Sequence, residues 1–353
     1  LTGLKFDASE DGKLAITGTD LEIGVTCTVP AEVQEPGSVV IPAATVVSLF
    51  EKLTSDEVTV ISKDGIALMI KYGKSEASLN GFSADEYPET PSIDTEFKFS
   101  VGGEKLCEVM SRVVYAVGDD ITKPAMCGVN FEIKNGEINL AATDTHRLAI
   151  SGLKVDGITY EKTVIIPKKA AEEIIKLLKS SKDVAVQIGE NHVKFVSSGI
   201  TMVSAVINGK FPNYKNILPK NFTAKVKVKP VDLINALERA SVLAGANATV
   251  ALHLNNNFVD IISKSERGQS RETIEAVVVD GAGMKIHFSA GYLIDGIKNT
   301  AVNNSEVWIG FTGPLSPAMI KAAAGGNSLG IVLPRRFAEK PVAEEQTEEK
   351  KVS

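Results

Sequence analysis

A ten-residue stretch, AATDTHRLAI at positions 141–150, brings together four side chains that could do chemistry: Thr143, Asp144, His146 and Arg147. An aspartate and a histidine, with a serine from elsewhere in the chain, could form the hydrogen-bonded triad of a hydrolase. The same four side chains could instead line a binding pocket. They are also typical of polar turns, where aspartate accepts hydrogen bonds from nearby backbone amides. The stretch therefore allows a catalytic cluster, a ligand pocket or a turn.

The enzyme interpretation lacks support elsewhere in the chain. We expect no nucleophile elbow, the strand-to-helix turn that presents the serine of many hydrolases, to accompany this stretch. The chain contains only four histidines: His146, His192, His253 and His287. We therefore predict that the protein is not an enzyme and has no catalytic residues.

An internal repeat determines where the stretch lies in the fold. The sequence GLKFDASEDGKLAITGTDLEI, from residue 3, matches GVNFEIKNGEINLAATDTHRL, from residue 128. Further along, SVVIPAATVVSLFEKLTSDEVTV matches TVIIPKKAAEEIIKLLKSSKDVAV, and a weaker third copy reads KIHFSAGYLIDGIKNTAVNNSEVWI. The chain therefore contains one unit three times.

The repeat separates structural residues from added ones in the stretch. Thr19 and Asp20 of the first copy stand where Thr143 and Asp144 stand in the second, and no His-Arg pair follows them. The Thr-Asp pair is therefore interpreted as structural. The histidine and arginine that follow it are what the second copy adds.

The spacing of apolar residues predicts the elements of each copy. Alternation such as Leu14 with Ile16 predicts strands. Short strands are predicted to end at Pro42, Pro167 and Ser289, and helices to begin there, since a first helical turn tolerates proline. Helical spacing predicts two further amphipathic helices, one with Leu106, Val109, Met110, Val113, Val114 and Val117, the other with Leu233, Leu237, Ala240 and Ala244.

These elements predict an α+β fold of three tandem similar domains, each with two helices packed on antiparallel sheet. We place the domains at residues 1–95, 96–221 and 222–337. Residues 338–353 are rich in Glu and Lys without apolar periodicity, which predicts a disordered acidic tail. The first copy lacks the strand and helix that precede the other two, so we expect that Leu1 is not the natural start.

The bulk composition narrows the class of protein. A net charge of −6 argues against coating nucleic acid by bulk attraction, which needs a strongly basic surface. No apolar run approaches the about 18 residues that cross a bilayer. The cysteines, Cys27, Cys107 and Cys127, are odd in number and form no C-x-x-C pair. We therefore expect no disulfide framework, no metal site and no cofactor, and we predict a cytoplasmic location.

Three stretches together resemble the bacterial β sliding clamp family, the processivity subunits of the replicative DNA polymerase III. They are AATDTHRLA, INGKFPNYKNILPK at 207–220 and LGIVLPRR at 329–336, and their order agrees with the family over residues 1 to about 337. Thr145 replaces the usual glycine, Asn213 the usual aspartate and Leu333 the usual methionine. A threonine is expected to disfavour the positive φ that glycine allows.

The resemblance implies a fold and a function together. Three similar domains would form half of a ring, and two chains would join head to tail as a homodimer with duplex DNA, bound without regard to sequence, in the hole. The ring would act as a processivity factor in DNA replication. Its implied partners are the replicative DNA polymerase subunit, the clamp loader and other replication and repair proteins that carry hydrophobic clamp-binding peptides.

The resemblance also implies a pocket for those peptides between the second and third domains. Apolar walls with a few polar groups suit an extended peptide with Leu and Phe side chains. Carried over residue by residue, the pocket consists of Met126, Thr143, Thr145, His146, Arg147, Leu148, Pro212, Asn216, Ile217, Pro317, Ile331, Leu333, Pro334 and Arg335.

Basic residues on two helices are the candidates for facing DNA: Lys105, Arg112, Lys168, Lys169, Lys176 and Lys179. Glu108, Glu172 and Glu173 lie among them, so a merely solvated helix face is an alternative. In a ring these helices would line the hole. A few weak phosphate contacts would then let the ring slide, because encirclement and not affinity retains it.

The resemblance places the seam between subunits at Ala77 and Leu79 of one chain and at Val242 and Leu243 of the other. An ordinary place in the helix core is an equally good interpretation of the last two. The alternative function is a monomeric or half-ring relative that binds partner peptides without encircling DNA. The mass in solution separates this alternative from the ring.

Overall fold

The computed structural model describes residues 2–245, 248–301 and 305–336. The predicted acidic tail, residues 338–353, lies outside them. The chain divides into two compact units. The first contains the residues up to Asn216 together with Asn327–Leu329, and the second contains Ile217–Gly326 and the described residues from Gly330. The first two sequence repeats therefore form the first unit, and the third repeat forms the second.

The first repeat contains seven strands and one helix among its described residues. A four-stranded segment precedes the helix, and a three-stranded sheet follows it. The elements are β1 (Gly3–Ser9), β2 (Lys13–Thr19), β3 (Ile23–Pro30), β4 (Gly37–Pro42), α1 (Ala43–Phe50), β5 (Thr59–Lys63), β6 (Ala67–Tyr72) and β7 (Ser75–Asn80).

The second repeat follows the same order, with one strand and one helix added in front. Its elements are β8 (Phe97–Val101), α2 (Gly103–Val114), β9 (Gly128–Lys134), β10 (Glu137–Thr143), β11 (Arg147–Lys154), β12 (Lys162–Pro167), α3 (Lys168–Leu178), β13 (Val184–Ile188), β14 (His192–Ser197) and β15 (Ile200–Ala205). Short 3-10 helices lie at Pro124–Met126 and Tyr214–Ile217.

The third repeat again begins with a strand and a helix. Its elements are β16 (Ala224–Val228), α4 (Pro230–Val242), β17 (Thr249–Leu254), β18 (Phe258–Ser265), β19 (Gly268–Glu275), β20 (Val277–Val279), β21 (Lys285–Ser289), α5 (Ala290–Thr300), β22 (Val307–Phe311), β23 (Ala318–Ala322) and β24 (Ser328–Val332).

An eight-stranded antiparallel sheet joins the first two repeats within the first unit. Its strand order is β4-β1-β2-β3-β15-β14-β13-β8. The junction lies where β3 pairs with β15, with Thr26 opposite Thr201. The first unit also contains the run β12-β9-β10-β11 and the separate three-stranded sheet β5-β6-β7. The last strand of the second repeat therefore extends the sheet of the first.

Alternating residues give each sheet one core face and one outer face, as period-2 patterning requires. In β9, Val129, Phe131 and Ile133 are buried in the core that α2 and α3 cover. Asn130 and Glu132, between them in sequence, point to the opposite face. The second unit repeats this plan with the sheet β19-β18-β17-β21 and the run β24-β23-β22-β16-β20.

Helices pack in pairs on these sheets. In the first unit α2 packs on α3, and Leu106, Met110 and Ile174 are fully buried between them and the sheet. The two helices approach closely, because a Cβ atom on Gly103 would lie 2.3 Å from the carbonyl oxygen of Leu178. In the second unit α4 packs on α5 in the same way.

The predicted α+β fold of three tandem domains is confirmed, although two helices were predicted for each domain and the described residues of the first repeat contain one. The predicted short strands end at Pro42, Pro167 and Ser289. Each of these residues is the N-cap of the following helix. The two prolines therefore lie just outside the first helical turn, whereas the sequence had predicted them within it. The helical stretch before residue 128 is also confirmed, although α2 ends at Val114.

Candidate functional site

The turn between β10 and β11 is held by its own threonine and aspartate. Thr143 Oγ1 donates to the carbonyl oxygen of Arg147 at 2.7 Å and accepts from the backbone N–H of Thr145 at 3.2 Å. Asp144 Oδ1 accepts from the backbone N–H groups of His146 and Arg147, both at 2.9 Å. These four bonds pair backbone groups that a sharp turn would otherwise leave without partners.

The first repeat contains the same turn. Thr19 Oγ1 donates to the carbonyl oxygen of Ile23 at 2.9 Å and accepts from the N–H of Leu21 at 3.0 Å. Asp20 Oδ1 accepts from the N–H groups of Glu22 at 3.0 Å and Ile23 at 2.7 Å. The prediction that the Thr-Asp pair is structural is therefore confirmed.

Both turns need a residue with positive φ at the same position. Thr145 has φ 77° and Leu21 has φ 78°. Holding a residue other than glycine in this region costs on the order of 1–3 kcal/mol. The backbone therefore keeps the conformation that a glycine would favour, although the sequence expectation was that a threonine would disfavour it. The Thr-Asp hydrogen bonds offset the cost.

Two residues, Asp144 and Tyr115, hold the guanidinium of Arg147. Its Nε donates to Asp144 Oδ2 at 2.9 Å, and each of the two side chains is only 15% exposed. The guanidinium carbon lies 5.4 Å from the ring centroid of Tyr115, a cation–π geometry. Because both oxygens of Asp144 are occupied by the turn and by Arg147, this carboxylate is not poised to orient a histidine for catalysis.

A second segment, residues 115–126, packs behind the turn. The N–H of Gly118 donates to the carbonyl oxygen of Met126 at 2.9 Å. A Cβ atom on Gly118 would lie 3.4 Å from the Cα of Asp144. The two segments are thus in close contact, and Met126 is half-buried at the end of the 3-10 helix.

The first unit positions eight of the predicted pocket residues. Thr145 and His146 are exposed at the turn, Arg147 is half-buried, and Leu148 and Thr143 are buried. Met126 lies on the segment that packs behind them. Pro212 and Asn216 lie elsewhere, on the segment that follows β15, where Tyr214 Oη donates to Glu132 at 3.2 Å.

The second unit contains the other six. Pro317 immediately precedes β23, Ile331 is buried in β24, and Leu333, Pro334 and Arg335 follow that strand. Leu333 is 37% exposed, and the N–H of Arg335 donates to the carbonyl oxygen of His287 at 2.8 Å. Ile217 is exposed.

A cavity of about 660 Å³ in the first unit is distinct from the turn. It lies between the outer face of β9 and β12, with Asn130 and Thr163, and the segment from Val206 to Lys215. Pro212 is the one predicted pocket residue that lines it. Burial of Tyr214 beside it raises the pKa of the phenol, and the carboxylate of Glu132 adds to the effect.

Four of the six candidate DNA-facing residues pair with carboxylates. Arg112 pairs with Glu108 at 2.6 Å, Lys168 with Asp119 at 2.9 Å, Lys176 with Glu173 at 2.8 Å, and Lys169 with Asp20. Lys105 is exposed on α2, and Lys179 caps the end of α3. Neighbouring acids therefore temper the positive charge of these helices.

The pair of Lys169 with Asp20 joins the second repeat to the turn of the first. Burial acts to raise the pKa of Asp20, but the lysine and the backbone N–H groups of Ile23 and Glu22 outweigh it and leave the pKa lowered. Asp20 is therefore held as a carboxylate, as the turn requires.

The predicted seam residues lie on an edge strand and at a helix end. Ala77 and Leu79 are half-buried in β7, which is an edge of the three-stranded sheet, and Leu79 packs on the core of the first repeat. Val242 ends α4 and is 68% exposed, and Leu243 follows it. Val242 therefore does not belong to the helix core, which was one of the two interpretations.

The sequence motif of a nucleophile elbow is present in the chain, contrary to the expectation from the sequence. A Gly-x-Ser-x-Gly pattern does occur, at residues 326–330. Its serine, Ser328, begins strand β24 and is 6% exposed, so it is not on a strand-to-helix turn. Within the described ranges there is no group of three or more His, Cys, Asp or Glu that could hold a metal ion.

Sequence reasoning missed Tyr115, Gly118 and Asp119, which fix or flank the turn. Tyr115 lies inside the predicted helix, where it is not one of the apolar positions, and Gly118 and Asp119 follow the last of those positions, Val117. In the part of the chain that the structure describes, no helix is long and apolar enough to cross a membrane.

Family models of the DNA polymerase III beta subunit match the chain in three segments. The N-terminal domain matches residues 1–91, the central domain residues 100–213 and the C-terminal domain residues 215–336. The Beta sliding clamp of Staphylococcus epidermidis is 32% identical over 348 residues, which are 95% of this chain and 92% of the relative. The Beta sliding clamp of Staphylococcus aureus is 31% identical with the same coverage.

Solved structures agree with these matches. The DNA polymerase sliding clamp of Bacillus subtilis superposes with a TM-score of 0.89 at 30% identity, covering 96% of this chain and 92% of that one. The DNA polymerase III beta subunit of Thermotoga maritima gives a TM-score of 0.89 at 26% identity with the same coverage. Three tandem domains of this kind define a DNA clamp, whose class function is that of a polymerase processivity factor. The chain belongs to the beta sliding clamp family, the beta subunits of DNA polymerase III.

Proposed function

We propose that two copies of this chain form a head-to-tail ring that encircles duplex DNA, slides along it and tethers the replicative DNA polymerase. The observation that carries this proposal is the match of all three domains, in order, to sliding clamps. The half-ring alternative is not favoured, because the relatives that cover the chain are clamps along nearly their whole length. The protein acts as a tether and performs no catalysis.

Retention on DNA is topological in this proposal. The net charge of −6 opposes binding by bulk attraction. The carboxylates paired with Arg112, Lys168, Lys169 and Lys176 limit how strongly the helices can attract phosphate. Weak contacts of this kind permit sliding, and closure of the ring prevents escape.

Partner proteins are proposed to bind at the turn Thr143–Arg147 through extended hydrophobic peptides. The support is a turn held by Thr143 and Asp144, on which the side chains of Thr145 and His146 are exposed. In the second unit the exposed side chain of Leu333 supplies apolar surface. The proposed partners are the replicative polymerase subunit, the clamp loader and other replication and repair proteins.

The proposed location is the bacterial cytoplasm, where the replicative polymerase works. The cysteines agree with a reducing compartment, since Cys27, Cys107 and Cys127 are all free thiols.

The test uses circular and linear DNA. Protein loaded on a nicked circle is expected to stay on the DNA during a wash at about 1 M salt, where the Debye length is about 3 Å. It is expected to leave when the circle is cut. Light scattering is expected to give twice the chain mass of 37.5 kDa. Equal retention on linear and circular DNA, or a monomer at micromolar concentration, would contradict the proposal.

A further inference from the structure

An ion pair links the first residue of α3 to the segment behind the partner-binding turn. Lys168 Nζ lies 2.9 Å from Asp119 Oδ1. The aspartate side chain is 85% exposed and the lysine 36% exposed, so both reach solvent. Exposed pairs of this kind are weak, because water and salt screen both charges. A competing anion such as a DNA phosphate can therefore displace Asp119 from Lys168.

The charges of two cations act on the carboxylate of Asp119. The hydrogen bond and charge of Lys168 lower the pKa of Asp119, and the guanidinium of Arg147 acts in the same direction more weakly. Asp119 therefore remains a carboxylate near neutral pH. Loss of Lys168 would leave Arg147 as the remaining cation that acts on it.

The backbone before Asp119 lies beside the turn. The preceding residue, Gly118, has so little space that a Cβ atom on it would be 3.4 Å from the Cα of Asp144, and its N–H donates to the carbonyl oxygen of Met126 at 2.9 Å. Arg147, whose charge acts on Asp119, is already held by Asp144 and Tyr115. A change at Asp119 therefore reaches the turn both through the chain and through Arg147.

We propose that Asp119 is a positioning residue that couples DNA contact at Lys168 to the charge of the partner-binding turn. This inference rests on the proposed function, in which Lys168 faces DNA and the turn binds partner peptides. When a phosphate takes Lys168, Asp119 is repelled by the phosphate and drawn towards Arg147. The rim of the turn becomes more negative, and peptides with acidic residues beside their apolar pair bind less tightly.

The chain supplies a matched control for Asp119. Asp120 carries the same charge one residue further on, but its carboxylate accepts from Thr122 Oγ1 at 2.6 Å and pairs with Lys123 at 3.4 Å. Substitution of Asp120 removes the same charge without touching the pair of Asp119 with Lys168.

The experiment measures the affinity of a fluorescent peptide with a Leu-Phe pair and a flanking glutamate by anisotropy. Each full-length protein is titrated alone and with saturating short duplex DNA at low ionic strength. In the wild type and in D120N, duplex is expected to weaken peptide binding roughly two- to fivefold, the range that an exposed ion pair supports. In D119N this effect is expected to disappear.

The K168A variant distinguishes the proposed coupling from a merely structural role of Asp119. Without DNA it is expected to bind the acidic peptide as weakly as the wild type does with DNA, while a peptide with glutamine in place of the glutamate binds normally. Equal effects of duplex in D119N and D120N would overturn the coupling. A wild type that binds neither peptide nor duplex would instead overturn the proposed function, and the coupling with it.

Discussion

Two short side chains, Thr143 and Asp144, hold the turn between β10 and β11 by bonds to backbone groups, and their counterparts Thr19 and Asp20 do the same in the first repeat. The fold therefore needs only the first two residues of the motif. Arg147 is different, because its guanidinium is fixed by Asp144 and Tyr115. Within five positions, the residues that hold the turn are followed by those that are proposed to bind partners.

Replacing Thr145 with glycine is expected to stabilise the protein by about 0.5 kcal/mol. The change removes the free-energy cost of a positive φ at threonine, on the order of 1–2 kcal/mol. Glycine also adds conformational freedom to the unfolded chain, which opposes this gain by about 0.5–1 kcal/mol. Denaturant unfolding measures the difference. Leu21→Gly at the same turn position of the first repeat should give a similar gain, and a loss in both variants would show that φ is not the cause.

The three cysteines are expected to react with iodoacetamide in order of exposure. Burial raises the pKa of Cys107 to about 11, with a small opposing effect of Lys179, and its thiol donates to the carbonyl oxygen of Ile174 at 3.5 Å. At pH 8 the reactive thiolate of Cys107 is therefore scarce, whereas Cys27 is exposed. Mass spectrometry of the native protein should show Cys27 modified first and Cys107 only after unfolding. Comparable rates at both sites would contradict the buried position.

At the scale of elements, the packing of α2 on α3 depends on the close approach of their backbones as much as on their apolar faces. The N-terminus of α2 meets the C-terminus of α3 at Gly103, where an added Cβ would lie 2.3 Å from Leu178 O and 2.6 Å from Ser181 O. Backbone oxygens cannot turn away as a flexible side chain can. The pairing of α2 with α3 therefore requires a glycine at this position.

Gly103→Ala is expected to destabilise the first unit by about 3 kcal/mol, the upper end of the usual cost of overpacking. Gly102→Ala is the matched control, because the nearest atom to its Cβ would be 3.6 Å away. The control should lose at most about 1 kcal/mol, the cost of alanine at an N-cap. Denaturant midpoints of the two variants measure the contrast, and equal losses would mean that the helix interface can widen.

The helices and strands could be predicted from the sequence because the spacing of apolar residues and the internal repeat both indicate them. The apolar positions of α2, such as Leu106 and Met110, are fully buried, and the strands end where Pro42 and Pro167 had indicated. The ion pair between Lys168 and Asp119 could not be predicted, since its members are 49 residues apart in an aperiodic segment and a helix end. The positive φ of Thr145 was also missed, because a β-branched residue argues against it until the hydrogen bonds are known.

At the scale of the whole molecule, the same turn makes different contacts in the first and second repeats. The turn of the first repeat pairs through Asp20 with Lys169 of the second, whereas the equivalent turn of the second repeat presents His146 to solvent. The same backbone device therefore serves internal assembly in one copy and is proposed to serve partner binding in the next. The domain boundaries at residues 95 and 221, and the seam at Leu79 and Val242, stay predictions.

Replacing Leu333 and Pro334 together with alanine is expected to weaken partner-peptide binding at least tenfold, about 1.4 kcal/mol. Leu333 is 37% exposed, so its loss removes contact surface at little cost to the fold. Calorimetry measures the peptide affinity, and light scattering on the same variant measures subunit association, which should not change. Unchanged affinity would remove these residues from the pocket, and dissociated subunits would assign them to assembly.

The turn held by Thr143 and Asp144 has a consequence for inhibitors and for resistance to them. Because these two residues fix the backbone, positions 145 and 146 can mutate without loss of the fold. A compound that gains its affinity from the side chains of Thr145 and His146 would meet resistance mutations that the turn tolerates, limited only by the need to keep binding partner peptides. A compound that depends on the buried side chain of Leu148 or on the ordered backbone of the turn would face a target that cannot change so freely.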